Sequence, residues 1–344
     1  MVQILNYTFY KLPRIARAQF IKQCIIEELY HTNDLEGVKS SREEIARSAK
    51  EIELKTKRKR RFNSMITSYM QLLNNEVSLP ESVNDIRTIY DLITDGEIED
   101  KDKPDGEIFR LEETYVHKKS GTGKIIHTGL TPESKIRIEM DNLLKFMNKS
   151  EVPELIKVAV GHYFYGYIHP FYDGNGRTSR FLSSLYLSKI VGDIGALSLS
   201  RAANKFSNKY LEAFEVTNSI KNNGEMNYFI ESLLTVILSA LKEMAMEIKE
   251  KDELLRLAIE KIDQEPKLNN KKERFRGVMF TIVQNYFFGV ESSKGMTVKE
   301  LAEVHSVSPT TIRATVKKLE ELSLIEQIGQ KPVYIKIKKG YFES

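Results

Sequence analysis

A short loop between two apolar stretches is the feature that most constrains how this chain folds. The first stretch, at about residues 152–167, ends at His169 and Pro170, and a proline disfavours helical geometry in the residue before it. Residues 174–176 (Gly-Asn-Gly) follow, and a second apolar stretch begins at Phe181. This pattern predicts a helix, a tight loop and a second helix whose N-terminus faces the loop.

The predicted loop carries residue types that suit a polyphosphate. A helix N-terminus presents free backbone N–H groups and a partial positive charge, and Gly174 and Gly176 let the backbone approach a ligand without a Cβ. Arg177 and Arg180 are three residues apart, so both guanidinium groups lie on one face of the first helical turn. Asp173 is a carboxylate of the kind that holds Mg²⁺ together with phosphate oxygens and waters.

His169 adds a base to this predicted anion site. An unperturbed imidazole has a pKa of about 6.5, so it is largely neutral at pH 7 and can accept a proton from a hydroxyl nucleophile. An EF-hand shares the letters Asp-Gly-Asn-Gly, but too few acidic ligands follow Asp173, and Arg180 stands where an oxygen ligand would be needed. A Walker-type loop is excluded because the Gly-Lys-Ser/Thr ending is absent.

Residues 169–180 resemble the signature of one family at every fixed position. They read His-Pro-Phe-Tyr-Asp-Gly-Asn-Gly-Arg-Thr-Ser-Arg, and the Fic signature is His-x-Phe-x-(Asp/Glu)-Gly-Asn-Gly-Arg-x-x-Arg. The resemblance extends over about residues 100–240. It implies a mainly α fold, with an all-helical Fic core and a small β-hairpin flap. It also implies a protein adenylyltransferase, which transfers AMP from ATP to a Ser, Thr or Tyr hydroxyl of a protein substrate, the chain itself included.

The resemblance implies a role for each residue of the loop. His169 would deprotonate the target hydroxyl, Asp173 would hold Mg²⁺ against the α- and β-phosphates, and Phe171 would anchor the loop in the core. Arg177 would contact the β-phosphate and Arg180 the γ-phosphate. The full set of residues expected to bind the nucleotide is Gly174, Asn175, Gly176, Arg177, Arg180 and Tyr210, with Tyr210 near the base.

A hairpin is predicted at Thr114–His127, because short β-prone pieces flank a glycine-containing turn. The resemblance implies that this hairpin is the flap, which aligns an extended target segment by pairing with it as an added strand. A plain surface hairpin is the alternative. The residues expected to contact the target are Thr114, Tyr115, Val116, Ile125 and Ile126.

A second, looser motif lies far upstream of the loop. Residues 32–37 (Thr-Asn-Asp-Leu-Glu-Gly) fit the Fic inhibitory pattern (Ser/Thr)-x-x-x-Glu-(Gly/Asn) with Thr32, Glu36 and Gly37. A glutamate near a helix end followed by a glycine cap is the structural alternative. The resemblance implies that Glu36 pairs with Arg180 and denies that guanidinium to the γ-phosphate.

The C-terminal segment has its own signals. Thr297–Glu300 forms a capping box, and Ser308 with Pro309 predicts the start of a second helix running to about Leu322. A basic β-ribbon then includes residues 331–338. Residues 266–344 carry a net charge of +6, which leaves −2 for the rest of the chain. These features resemble a winged helix-turn-helix, with DNA as the expected partner and protein docking or homodimer formation as alternatives. The expected DNA contacts are Thr310, Thr311, Arg313, Thr315 and Lys317.

Turn-rich and polar segments divide the chain. We expect an N-terminal helical region with the inhibitory motif at 1–100, a Fic catalytic domain at 101–262 and a winged helix-turn-helix at 263–344. The basic stretch Lys55–Arg61 is interpreted as a solvated helix face rather than a nucleic-acid patch.

The composition limits the class of protein. The single cysteine, Cys24, excludes an intramolecular disulfide and a multi-cysteine metal site. There is no signal-peptide pattern and no apolar run of roughly 18 residues, so we expect a cytoplasmic protein without a membrane partner. Two alternatives to AMP transfer stay open. One is another Fic chemistry, with a different nucleotide, phosphocholine or AMP removal. The other is a DNA-binding regulator whose Fic core only senses nucleotide.

Overall fold

The computed structural model describes residues 2–53, 61–118, 123, 125–269, 273–290 and 295–342. Over these residues the protein is mainly helical, as predicted, with two small antiparallel sheets of two strands each. The basic stretch Lys55–Arg61 lies outside the described residues except for Arg61, as do residues 119–122 and 124 of the predicted hairpin. None of the helices in the described part of the chain is long and apolar enough to cross a membrane.

The helices and strands follow one another in this order. The first helices are α1 (Val2–Lys11), α2 (Arg14–Leu35), α3 (Arg42–Glu53), α4 (Asn63–Leu73) and α5 (Val83–Thr94). Then come β1 (Tyr115–His117), β2 (Ile125–Thr128), α6 (Glu133–Lys149), α7 (Glu154–Ile168), α8 (Asn175–Val191), α9 (Asp193–Ala196), α10 (Leu199–Lys205) and α11 (Ser207–Thr217). The last are α12 (Asn227–Asp263), α13 (Glu273–Phe288), α14 (Val298–Val304), α15 (Pro309–Glu321), β3 (Ile325–Ile328) and β4 (Tyr334–Ile337).

Packing divides the chain into two compact units. The larger unit comprises residues 24–243, and the smaller comprises residues 3–23 together with 244–344. The domain boundaries expected from the sequence stay predictions, because compactness alone does not test which segments act as functional domains.

Helix α8 is the central element of the larger unit. It packs against α7, which in turn packs against α6, and α4 and α5 also contact α8. Every residue from 177 to 188 is buried, although this stretch contains two arginines and several serines. A buried polar side chain normally has a hydrogen-bond partner, so one without a partner in the protein indicates a place where a ligand could bind.

The turn between α7 and α8 has the geometry that the sequence predicts. Helix α7 ends at Ile168, and His169 adopts the left-handed conformation with φ 51°. Gly174, directly before α8, has φ +78°, which a residue with a side chain rarely adopts. A Cβ at this position would lie 2.8 Å from Thr94 Cγ2, so glycine is required for space as well as for conformation.

The predicted hairpin is present as the antiparallel pair β1–β2. Tyr115 lies opposite Thr128 and Val116 opposite His127, with an irregularity after Val116. Its second strand is fixed to the end of α7, because a ring nitrogen of His127 lies 2.7 Å from the carbonyl oxygen of Tyr167. The hairpin therefore lies beside the loop that follows α7.

In the smaller unit, both predicted caps are confirmed. The Thr297 hydroxyl accepts from the Glu300 N–H, with the reciprocal bond also present, and the Ser308 hydroxyl accepts from the Thr311 N–H at 3.1 Å. The structure adds helix α13 and strand β3, which pairs with β4 from Ile325 opposite Ile337. Neither element was predicted separately from the sequence.

One expected surface contact of α15 is wrong. Thr315 is only 1% exposed, and its hydroxyl donates to the Thr311 carbonyl and accepts from Arg274 Nε at 3.1 Å. The Thr311 hydroxyl lies 2.9 Å from the Ser308 hydroxyl within the helix cap. Thr315 therefore faces the core of the unit, whereas Thr310, Arg313 and Lys317 are exposed as expected.

Candidate active site

The loop after α7 is closed by its own residues. The Asn175 side chain accepts from the Phe171 N–H at 3.0 Å and donates to the Phe171 carbonyl at 2.7 Å. The Phe171 ring is completely buried and stacks on Tyr90 with 3.6 Å between ring centroids. Phe171 is thus a core anchor, as expected. The Asn175 side chain closes the loop, while its expected contact with the nucleotide stays a prediction.

A buried arginine that the sequence analysis missed supports the same loop. Arg110 is fully buried, and its guanidinium donates to the carbonyl oxygens of His169 at 3.0 Å, Leu130 at 2.8 Å and Glu112. Burial lowers the pKa of Arg110, and the three carbonyl dipoles supply its hydrogen-bond partners. The guanidinium therefore holds three separate chain segments together at the residue that carries the imidazole.

His169 is the residue expected to act as a base. Its Nδ1 lies 3.2 Å from the carbonyl oxygen of Gly166. A carbonyl can only accept, so Nδ1 carries the proton and Nε2 keeps its lone pair. Burial lowers the pKa of His169 to about 4, so the imidazole is neutral at pH 7. The expected base therefore has the tautomer and the charge that proton acceptance from a hydroxyl requires.

Arg180 is bound by the upstream motif. Its Nε donates to the Thr32 hydroxyl at 2.8 Å, and its Nη2 donates to the Thr32 carbonyl at 3.2 Å and to the Glu36 carboxylate at 2.6 Å. Arg180 is 2% exposed. The structure thus brings together residues that are 144 and 148 positions apart in the sequence, in the pairing that the two motifs lead us to expect.

Glu36 lies against the first turn of α8. A Cβ at Gly176 would be 2.0 Å from Glu36 Oε1, so the carboxylate occupies space that only a glycine leaves open. Gly37 follows with φ +73°, and its N–H bonds to the Asp34 carbonyl at 3.1 Å, which ends the segment after α2. Burial raises the pKa of Glu36, but the Arg180 guanidinium outweighs this effect and keeps that pKa below its usual value.

Arg177 differs from Arg180 in having unused donors. It is 1% exposed, and its Nη2 reaches Asp173 Oδ2 at 3.3 Å. Its Nε and Nη1 are buried and have no hydrogen-bond partner in the described part of the chain. A buried donor without a partner costs free energy, so these two groups are suited to an anionic ligand such as a phosphate.

Asp173 is the candidate metal ligand. Its side chain is 47% exposed, and Oδ1 accepts from the Gly174 N–H at 2.6 Å. No group of three or more His, Cys, Asp or Glu side chains converges on a metal position within the described residues. The site therefore fits Mg²⁺ only where phosphate oxygens and waters complete the shell, which is the arrangement the sequence predicts.

The expected flap residues lie on the hairpin with unequal exposure. Tyr115 and Ile125 are 44% and 47% exposed, whereas Thr114, Val116 and Ile126 are half-buried. Tyr210, expected near the nucleotide base, is 7% exposed in α11 and bonds through its hydroxyl to His162 at 2.7 Å. Contact of any of these residues with a target or a base stays a prediction.

A buried carboxylate also escaped the sequence analysis. Glu28, in α2, is 0% exposed and accepts from the Ser200 N–H at 3.0 Å, from the Ser200 hydroxyl at 2.5 Å and from the Tyr69 hydroxyl at 3.4 Å. Burial raises its pKa. Glu28 therefore fastens the half of α2 that leads to Thr32 and Glu36.

Known proteins share this architecture. Residues 80–187 match the Fic/DOC family model, a range that includes α5 to α7 and most of α8. A Fic family protein from Desulfovibrio desulfuricans G20 is similar in structure, with a TM-score of 0.57 and 14% identity over 98% of this chain and 94% of that one. A Fic domain-containing signaling protein from Bacteroides thetaiotaomicron has a TM-score of 0.50 and 17% identity over 73% of this chain and 96% of that one.

At these identities the similar structures show only the fold. The match to the family model indicates the general class of reaction. The matched range includes His169, both arginines and the loop described above. Fic proteins generally transfer a nucleotide monophosphate to other proteins. This chain therefore carries a Fic/DOC family domain at residues 80–187.

Proposed function

We propose that the chain is a protein adenylyltransferase that is inhibited by its own Glu36. The observation that carries the proposal is the unequal state of two buried arginines. Arg177 keeps two donors without a partner, whereas Arg180 is bonded to Glu36 and Thr32. A triphosphate needs both guanidinium groups. Arg177 is therefore free to bind phosphate, whereas Arg180 is occupied by the protein itself.

The proposed reaction begins at His169. Its Nε2 takes the proton of a Ser, Thr or Tyr hydroxyl as that oxygen forms a bond to the α-phosphorus of ATP. The bond between the α-phosphorus and the bridging oxygen breaks, and pyrophosphate leaves. Arg177 offers its Nε and Nη1 to the β-phosphate, and Arg180 offers its guanidinium to the γ-phosphate. Mg²⁺, held at Asp173, would supply charge neutralisation to the phosphates.

The proposed inhibition follows from the same geometry. Glu36 bonds to the donor that the γ-phosphate needs and fills the space beside Gly176. ATP would still bind, but with its γ-phosphate displaced and the α-phosphorus out of line with the hydroxyl. Removing the Glu36 side chain frees the donor and the space together, while the Thr32 bonds still hold Arg180.

Mass spectrometry after incubation with ATP and Mg²⁺ tests the proposal. We expect the Glu36→Gly protein, alone or with candidate targets, to gain one AMP less water per modified hydroxyl, severalfold faster than the unaltered chain. Glu36→Gln is the matched control, since it keeps the size of the side chain and loses its charge, and its rate should be intermediate. Equal rates in all three proteins would contradict inhibition by Glu36.

The same spectra separate the alternatives. A different added mass with another donor would indicate another nucleotide or phosphocholine transfer. Loss of a preformed AMP adduct would indicate a removing enzyme. No adduct from any donor, with nucleotide still bound, would indicate a regulator whose Fic domain senses nucleotide.

We also propose that residues 263–344 form a winged helix-turn-helix that binds DNA. An exposed stripe on α15 supports this, with Thr310, Arg313, Ala314 and Lys317 at helical spacing, and residues 266–344 carry a net charge of +6. In a mobility-shift assay at low salt, Arg313→Ala should weaken retention of duplex DNA, whereas Lys249→Ala on α12 should not. Retention of no duplex would favour protein docking or a homodimer contact instead.

A further inference from the structure

Three backbone segments meet beside the candidate base. The N–H of Gly129, the residue that directly follows β2, donates to the Thr114 carbonyl at 3.0 Å and closes the open end of the hairpin. The next N–H along the chain, that of Leu130, donates to the Ile168 carbonyl at 3.1 Å. The segment that leaves the hairpin is therefore hydrogen-bonded to the residue directly before His169. We call this meeting of residues 114, 129–130 and 168–169 the junction.

Gly129 leaves no room for a side chain in the junction. A Cβ on this residue would lie 2.3 Å from Arg110 Nη2, 3.0 Å from His169 Cβ and 3.1 Å from Thr114 Cγ2. The φ angle of Gly129 is not in the left-handed region, so glycine is required here for space and not for conformation. Gly129 lies outside residues 169–180, and the reaction proposed above gives it no role.

The contact with Arg110 could not be relieved without cost. That side chain is fully buried, its Nη2 donates to the Leu130 carbonyl at 2.8 Å, and its Nε donates to the His169 carbonyl at 3.0 Å. Moving Nη2 away from a new Cβ would disturb the hydrogen bonds that hold His169 and would leave buried donors without partners. The second contact acts on the same residue, because the Cβ would also press on the His169 side chain directly.

We propose that Gly129 is a positioning residue, through which the hairpin determines the position of the His169 imidazole. A side chain at residue 129 would displace the imidazole by two routes, one through Arg110 and one by direct contact. The second strand of the hairpin is also held to α7, since a ring nitrogen of His127 lies 2.7 Å from the Tyr167 carbonyl oxygen. A target segment that pairs with the hairpin would therefore meet the base in a fixed register.

This inference rests on the proposed function, because it takes His169 as the base of AMP transfer. In the Glu36→Gly protein, Gly129→Ala should lower kcat by about tenfold or more, since a misplacement of about 1 Å can cost about 10²-fold in rate. KM for ATP should stay unchanged, because Arg177 and Arg180 lie on α8 and not in the junction. A merely structural role would lower the amount of folded protein and leave kcat per folded molecule unchanged.

Gly195→Ala is the matched control. A Cβ at that position would lie 2.7 Å from Val191 Cγ2, so the site is crowded as well, but it belongs to α9. The control should lower the thermal stability and keep kcat. Arg110→Lys gives a second test, because it removes the Nη2 atom that the new Cβ would meet. In that background, Gly129→Ala should lower kcat by a smaller factor than it does alone.

A measurement that does not depend on transfer separates this inference from the proposed function. Burial lowers the pKa of His169 to about 4, and the charged or titratable groups that face it are Arg110, His127 and Glu36. An imidazole displaced towards solvent should titrate nearer to about 6.5. In an NMR titration of the unaltered background, the His169 ring signal, identified by its loss in His169→Ala, should therefore have a higher midpoint in Gly129→Ala than in the control.

Two results would overturn the inference. One is an unchanged kcat in Gly129→Ala, and the other is an equal titration midpoint in Gly129→Ala and in the control. If the Glu36→Gly protein transfers no AMP at all, the proposed function fails, and the titration midpoints alone then decide whether Gly129 positions the imidazole.

Discussion

Helices α8 and α15 both carry basic residues near their N-termini, and these two N-termini are built in opposite ways. Helix α15 begins with a complete cap, since the Ser308 hydroxyl accepts from the Thr311 N–H and Pro309 occupies the first position. Helix α8 begins after Gly174 with no side-chain cap at all. The basic side chains on α15 are exposed, whereas Arg177 and Arg180 on α8 are buried.

The capped N-terminus of α15 contributes to stability, whereas the uncapped N-terminus of α8 suits a ligand. A cap satisfies the N–H groups of the first turn within the protein, and it stabilises the helix whether or not a ligand is present. An uncapped N-terminus with buried, partly unpaired guanidinium groups is costly in isolation and becomes favourable when an anion binds. The first turn of α8 is therefore suited to binding an anion, whereas the first turn of α15 is complete without a ligand.

The largest effect should come from the base beside the uncapped terminus. His169→Ala in the Glu36→Gly background should lower AMP incorporation by about 10²–10⁴-fold, because no other group takes the hydroxyl proton. The measurement is incorporation of labelled ATP, and the Kd for ATP serves as a control that should change little. Retained incorporation would mean that another group acts as the base.

A smaller effect should follow from filling the space at the first turn of α8. In the Glu36→Gly background, the carboxylate that would clash with a Gly176 Cβ is gone, so Gly176→Ala should fold normally. The methyl group would then project into the space proposed for the phosphate, and transfer should fall by about tenfold or more. Thermal unfolding checks the fold. An unchanged rate would show that the phosphate does not use this space.

The capped terminus should respond in stability alone. Ser308→Ala should lower the free energy of unfolding by about 1 kcal/mol, since it removes the acceptor for the Thr311 N–H. Thr297→Ala at the start of α14 should cost a similar amount. Urea unfolding measures both. AMP transfer should stay unchanged in both variants, and a loss of transfer would break the separation between the two termini.

The smallest expected change concerns pH. The base acts in its neutral form, and burial lowers the pKa of His169 to about 4, so protonation removes activity only near that pH. Between pH 8 and 5.5 the rate of the Glu36→Gly protein should stay nearly constant. An imidazole of ordinary pKa would lose about tenfold of its neutral form by pH 5.5. A midpoint near 6.5 would indicate an exposed imidazole in the active state.

The parts of the site that are contiguous in sequence could be predicted, because glycines, arginines and a histidine within twelve residues define their own loop. The parts that depend on distant contacts could not. Arg110 reaches His169 across 59 positions, and nothing in its local sequence indicates burial. His162 and Glu28 lie within helices, and their hydrogen-bond partners belong to other elements that the local sequence does not indicate.

The fold, too, could be predicted only where local interactions determine it. The capping residues Thr297 and Ser308 predict the starts of α14 and α15 from the sequence, because capping is a local interaction. Thr315 was misassigned to the surface of α15, since helical spacing alone does not say which face packs against the unit. Asn175 was assigned to a ligand, whereas its amide also has a structural use in closing the loop.

The buried Arg110 has a consequence for interpreting related sequences. One guanidinium donates to carbonyl groups of three segments, and a lysine ammonium, with its tetrahedral donors, does not reproduce that planar fork. A protein that keeps all the signature residues but has lost this arginine would possess the reactive groups without the support that orients its imidazole. The arginine lies outside the signature, so a match to the signature alone does not show that the imidazole is held in place.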